Sequence, residues 1–156
     1  MSNMQRRIFL KGSVAASAVA IAASAGLLKP TRALAAWPKS AFEAKSVEDA
    51  LKSLYGAPAA EDGGAITIKA PIQAENGAVV PIAVTTTLPN PESISIMVKE
   101  NPSPLIITAN LTGAVGYLSA RMKMGKTSDV KVFVKSGGKV HMASQNIKVT
   151  VGGCGG

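Results

Sequence analysis

The chain has 156 residues, with 17 basic against 9 acidic side chains, one histidine, one cysteine and a formal net charge of +8. A single cysteine excludes an internal disulfide and a Cys-x-x-Cys redox couple, and one histidine with scattered carboxylates offers little to a metal. Aromatics make up only 4% of the chain, so a base-stacking nucleic-acid surface is excluded with them.

Taken in chain order, Gln5-Arg6-Arg7-Ile8-Phe9-Leu10-Lys11 is a twin-arginine start. A weakly apolar, Ala-rich stretch runs from Gly12 to Leu28, and Ala33-Leu34-Ala35 before Ala36 is a small-x-small cleavage site. The stretch contains Gly12, Ser13, Ser17, Ser24 and Gly26, unlike a membrane span of about 20 strongly apolar residues. Residues 1–35 are therefore expected to be a cleaved twin-arginine signal, which sends the protein to the periplasm and leaves no membrane segment behind. That route carries folded proteins, often with a cofactor or partner in place. With no metal ligands in view, a second subunit lacking its own signal is the expected passenger. Arg6, Arg7, Lys11, Lys29 and Arg32 leave with the signal, so the mature chain keeps twelve bases and nine acids, a mild +3.

Roughly 120 residues then remain, enough for one domain with one core. Residues 36–151 are read as that domain. Ser46 caps a short helix, Asp49 stands at the third helical position, and Val47, Ala50, Leu51, Leu54 and Tyr55 form its stripe. Gly56 and Pro58 end it, and Trp37 and Phe42 just before it are placed to pin this segment onto a sheet. After Glu61-Asp62-Gly63-Gly64 the pattern turns to period two. Ala65–Ala70 is the first strand, Glu75-Asn76-Gly77 a tight turn with positive φ, and Val79–Leu88 the next strand, where Pro81 marks an edge or a bulge. Pro89-Asn90-Pro91 breaks the chain before Ser93–Val98, and Asn101-Pro102-Ser103-Pro104 before Leu105–Thr112. Gly116–Met124 follows, then Val130–Val134 and, across Gly137-Gly138, Lys139–Val151. Seven strands with Pro/Gly turns predict an all-β fold: an immunoglobulin-like antiparallel β-sandwich with a short N-terminal helix.

Val151 is the last alternating position, and Gly152-Gly153-Cys154-Gly155-Gly156 follows it. Glycines on both sides leave the thiol unshielded, and the tail is expected to be flexible. Three residues from Val151 to Cys154 span at most roughly 10 Å. A rigid base with a slim reactive tip has the form of a carrier arm. No basic side chain adjoins Cys154 in sequence, so activation of the thiol is left to whatever site receives it. Elsewhere, His141 and Met142 with Met122 and Met124 would make a soft-metal site only if the fold gathered them; packing is the plainer role. Arg121, Lys123 and Lys126 could favour an anion but read more simply as solvated strand charges. One histidine and no nucleophile-elbow pattern leave no hydrolytic triad.

The tail Val151-Gly152-Gly153-Cys154-Gly155-Gly156 is similar to the C-terminus of the SoxY family, the carrier subunits of the bacterial sulfur-oxidising (Sox) system. Glu75-Asn76-Gly77-Ala78-Val79-Val80-Pro81-Ile82, Asn101-Pro102-Ser103-Pro104-Leu105 and Arg121-Met122-Lys123-Met124-Gly125 resemble that family's internal segments. With the twin-arginine signal the resemblance covers essentially the whole chain. It implies a covalent carrier rather than an enzyme, with no catalytic residue and no cofactor. Cys154 would be the sulfur attachment point, and Gly152, Gly153, Gly155 and Gly156 the flexible arm. It implies a heterodimer with a SoxZ-like subunit. It also implies a c-type cytochrome that joins thiosulfate to the cysteine and a dimanganese hydrolase that removes sulfate to leave a persulfide. In some organisms a molybdenum–haem sulfane dehydrogenase acts as well. Two rival readings remain at this level. A structural periplasmic sandwich would use Cys154 for an intermolecular disulfide. A single-cysteine peroxide-reducing enzyme would need a pocket and fixed orientation that a glycine tail does not provide.

Overall fold

The computed structural model describes residues 38–56 and 60–150, and their local chemistry explains each element. Helix α1 (Lys39–Glu43) is a single turn that leads into α2 (Val47–Tyr55). The Ser46 hydroxyl accepts from the Asp49 N–H at 3.0 Å and donates to the Asp49 carboxylate at 2.7 Å, which meets the free donors of the first turn. Gly56, at φ 77°, closes α2 in the left-handed region where only glycine is unstrained. Pro58 and Trp37 lie outside the described residues.

Among the described residues nine strands follow: β1 (Ala60–Asp62), β2 (Ile66–Lys69), β3 (Gln73–Ala74), β4 (Val80–Thr86), β5 (Pro91–Val98), β6 (Leu105–Asn110), β7 (Tyr117–Met122), β8 (Ser128–Ser136) and β9 (Lys139–Val149). The larger sheet has the order β1-β9-β8-β5-β6, with β3 also paired to β9, and the smaller sheet is β2-β4-β7. Val80, Ile82, Val84 and Met122 of the smaller sheet pack with Ile94, Ile96, Val130, Val132, Val134 and Ile147 of the larger one. The opposite face of the larger sheet presents Met97, Leu105, Phe133 and Val140 to Ala41, Val47 and Ala50 of the two helices. Because both faces of β5 are covered, Ser93 to Val98 are buried at six successive positions and the expected alternation is lost. The second face of β5 and β8 is thus closed by the chain's own helices. Among the described residues no helix is long and apolar enough to cross a membrane.

A chain of hydroxyls fastens the helices to the sheet. The Tyr55 hydroxyl lies 2.7 Å from Ser95 Oγ and 3.1 Å from Ser93 Oγ, and Ser95 Oγ donates to Thr108 Oγ1 at 2.8 Å. Ser95 is fully buried, so its satisfaction matters. Tyr55→Phe keeps the ring and removes the hydroxyl, and is expected to lower the unfolding free energy by about 1–2 kcal/mol in urea titration. A loss under a few tenths would mean that water replaces the phenol.

The two-sheet sandwich and the capped helix agree with the sequence reading, while the strand count and pairing need correction. β1 and β3, of three and two residues, were not expected, and both run parallel to β9. They are too short to show a period, and β1, with all three side chains exposed, is held by backbone pairing and by the exposed Glu61–Lys139 ion pair at 2.8 Å. Helix α1 is likewise too short for a stripe. The Asn76-Gly77 turn is not a two-residue hairpin, because β3 intervenes between β2 and β4 and Gly77 is absent from the positive-φ glycines. Pro81 sits in the middle strand of the smaller sheet, not at its edge, but β2 pairs only as far as Ala83. The proline therefore lies where β4 has β7 on one side and no β2 residue on the other. Gly137 and Gly138, at φ 56° and 76°, do form the tight turn between β8 and β9.

Candidate functional site: the root of the cysteine arm

The β8–β9 ladder ends at Ser128 opposite Ile147, yet the chain stays fixed for three further residues, two in β9 and Thr150 just past it. The Lys148 N–H donates to the Ile72 carbonyl at 2.9 Å and the Thr150 N–H to the Ala74 carbonyl at 3.0 Å. Between them, the Val149 N–H donates to the Thr127 hydroxyl oxygen at 3.0 Å. Successive strand amides point to opposite sides, so β3 holds one side and a single side chain holds the other. Ile147 is fully buried and Val149 packs against the same inter-sheet core.

Two loops close around this strand end. The Asn76 side-chain oxygen accepts from the Ala78 N–H at 2.8 Å, which shapes the 75–79 loop as an Asx turn. The Met124 N–H donates to the Gly77 carbonyl at 2.7 Å. A Cβ on Gly77 would overlap the Met124 carbonyl oxygen and sit 2.9 Å from Val149 Cγ1, so glycine is required here for close approach and not for φ. Asn101 steadies the second loop, donating to the Lys123 carbonyl at 2.7 Å and accepting from the Gly125 N–H at 3.2 Å. Segments 75–82, 101–105 and 121–125, which carry the internal family resemblance, are thus tied to one another, and Gly77 brings them against Val149 at the end of β9.

Cys154, with Gly152, Gly153, Gly155 and Gly156, lies outside the described residues. From Thr150, the last residue in this clasp, four residues reach Cys154, a span of at most about 14 Å. The other residues singled out from sequence are not gathered into a site. Met122 and Met124 are buried between the sheets, Met142 packs with the helix-side core, and His141 stands in register with Glu61 on β1. Among the described residues no three His, Cys, Asp or Glu side chains are grouped for a metal. Lys126 pairs with Glu100 at 3.0 Å, away from Arg121 on the outer side of β7 opposite Pro81.

A surface depression of about 440 Å³, lined by Asn90, Pro91, Glu92 and Leu111 among others, opens at the far end of the sandwich from the arm root. Its carboxylate is already engaged: Glu92 meets Lys135 at 2.8 Å and accepts from the Gly138 N–H at 3.1 Å. The Lys135 ammonium, then the Gly138 amide, hold this carboxyl below its usual range. Glu61 is lowered in the same way by Lys139. Both pairs are exposed structural contacts. Thr127 and β3, which form the clasp, gave no signal in the sequence, because a threonine beside a strand and a two-residue strand carry no pattern.

The comparisons with known proteins agree with this geometry. The family model described as "Sulfur oxidation protein SoxY" matches residues 51–154, from α2 to Cys154 itself. The structure resembles that of the sulfur carrier protein SoxY from Chlorobium limicola f thiosulfatophilum, with 38% sequence identity and a TM-score of 0.63 over 72% of this chain and 99% of that one. It also resembles a superoxide reductase (neelaredoxin) from Ignicoccus hospitalis, at 14% identity and a TM-score of 0.50 over 55% of this chain and 79% of the other, a likeness of fold alone. No curated protein matches the sequence. With the family match reaching from the helix layer through the clasped strand to the lone cysteine, this chain belongs to the SoxY family of sulfur oxidation proteins.

Proposed function

We propose that this protein is a covalent sulfur carrier of periplasmic thiosulfate oxidation, and that Cys154 is the atom-bearing site. The observation that carries the reading is the fixing of the chain through β9 and on to Thr150, four residues before the only thiol of the chain, in a segment whose family match ends at that thiol. A firm root and a glycine-flanked tip allow Cys154 to enter a narrow active site while the body stays outside. The chain itself does no catalysis on this reading. Its thiolate supplies the sulfur nucleophile, and partners supply the rest.

In the loading step the Cys154 S–H is lost and an S–S bond forms to the outer sulfur of thiosulfate. Two electrons pass to a c-type cytochrome and one proton to solvent, giving the S-thiosulfonate. Hydrolysis by a dimanganese enzyme then breaks the bond between sulfane sulfur and sulfone, water supplies the fourth oxygen of sulfate, and a persulfide stays on Cys154. A sulfane dehydrogenase, where present, oxidises that sulfur before a final hydrolysis frees the thiol. Export through the twin-arginine signal with a SoxZ-like subunit completes the proposal.

Intact mass of the protein from thiosulfate-grown cells, read before and after reductant, tests it. Reductant-labile additions of sulfane sulfur or thiosulfonate are expected on a single chain. Bare chain under turnover, or only a species of twice the mass, would overturn the carrier reading in favour of a cross-linking structural subunit.

A further inference from the structure

The geometry points to Thr127 as a positioning residue: its hydroxyl helps fix the point at which the chain leaves the body toward Cys154. This rests on the carrier reading and adds a residue to it. Thr127 immediately precedes β8, where that strand has already left the ladder beside β9. Its side-chain oxygen accepts from the Val149 N–H at 3.0 Å, replacing the carbonyl that the missing strand would have offered. On the other side β3 contributes only two residues, in register with Lys148 and Val149. Two paired residues do not hold a strand end unaided, so the hydroxyl closes the clasp. The tight fit of Gly77 over Met124 and Val149 keeps this end of β9 in place for both sides to bond.

If the hydroxyl is lost, Lys148 and Thr150 keep their bonds to the Ile72 and Ala74 carbonyls, but the strand end is held from one side only and opens more often, back to Ile147 in the β8 ladder. In the opened form the stretch from the last held residue to Cys154 is seven residues in place of four, with an extended reach of at most about 25 Å in place of about 14 Å. A longer tether lowers the effective concentration of the thiol at a docked partner's active site, by about twofold for this change under the −3/2 power of length. The short reach is therefore set partly by a side chain in the body, together with the bonds to Ile72 and Ala74.

The test compares Thr127→Val, which keeps the shape and removes the acceptor, with Thr127→Ser, which keeps the acceptor, in the full mature protein with its partner subunit. Amide hydrogen exchange at Val149 is expected to quicken by about tenfold in Thr127→Val, as loss of one net hydrogen bond allows, and to stay native-like in Thr127→Ser. Loading of Cys154 by thiosulfate and its oxidising cytochrome should slow measurably, by at most about twofold, in Thr127→Val and recover in Thr127→Ser. Alkylation of Cys154 by a small thiol reagent should be equal in all three, since that reaction needs no docking. Unchanged exchange at Val149 overturns the clasp, and changed exchange with unchanged loading overturns the positioning role. If the native protein itself takes up no sulfur, the carrier reading fails, and the exchange data still decide the clasp.

Discussion

Cys154→Ser protein is expected to take up no sulfur and to support no thiosulfate-dependent electron transfer or sulfate release in the reconstituted system, a complete loss rather than a slowed rate. The reason is elementary. Loading makes a sulfur–sulfur bond, and serine has no sulfur to give it. A serine hydroxyl is also essentially un-ionised at neutral pH, whereas even an unperturbed cysteine keeps a few per cent as thiolate. The fold should be untouched, with unfolding free energy within about 0.5 kcal/mol of native, because substitutions remote from core and caps rarely do more. The chain has one cysteine, so no second thiol can take over. The measurement is sulfate release by the complete system, alongside urea unfolding of the same sample. Full sulfate release from the serine protein would remove Cys154 from the chemistry. A cross-linking subunit predicts something different: loss of a disulfide dimer in Cys154→Ser with thiosulfate oxidation intact.

A carrier makes particular demands on its body, and this body meets them. On the proposed function, partners of different chemistry each accept the same tip, so the specific groups belong to them and the carrier needs a stable frame with a defined exit point. The frame here has three layers with the described polar contacts satisfied: no buried side-chain nitrogen or oxygen lacks a partner among the described residues. Its exit point is the end of β9, where residues from three separated segments converge.

Much of this was legible in the sequence, and the reasons for the misses are physical. The period-two runs from Ile66 to Val149 marked the longer strands, because their alternate residues enter one inter-sheet core. Ser46, Asp49 and Gly56 marked α2 at both ends, because caps are local. The lone cysteine between glycines stood out for the same reason. What stayed hidden depends on contacts between distant residues. β1 and β3 exist only because β9 offers them a free side, and their two or three residues carry no periodicity. Gly77 read as a turn glycine although its role is to clear Val149, 72 positions later. Thr127 carried no signal in the sequence, although its hydroxyl accepts from the Val149 N–H, 22 positions later. The third layer was hidden too: Met97 and Phe133 look like irregularities in alternating strands until the helices are seen to cover them.

That third layer gives the largest stability effect expected in the described residues. Phe133→Ala should lower the unfolding free energy by about 3–5 kcal/mol. Phe133 is 2% exposed and lies on β8 in register with Met142 of β9 and Ser95 of β5, under the two helices. Removing the ring empties space on the helix side alone, since Val132 and Val134 beside it face the other sheet. The helices have five and nine residues, too short to persist without packing, so they cannot hold their places over a cavity. A typical domain is stable by only about 5–15 kcal/mol, so the loss is a large share of the total. The damage should also be lopsided. Amides of α2 should exchange faster before those of β4 and β9 do, and Cys154 should still react with small reagents at the native rate, because the arm root packs on the inter-sheet face. Val132→Ala supplies the contrast: it opens the inter-sheet core and should loosen β4 and β9 amides instead. Urea unfolding with residue-resolved exchange measures both. Equal exchange patterns in the two variants would mean that the helices and the second sheet form one undivided core, and that the arm root is not insulated from the helix layer.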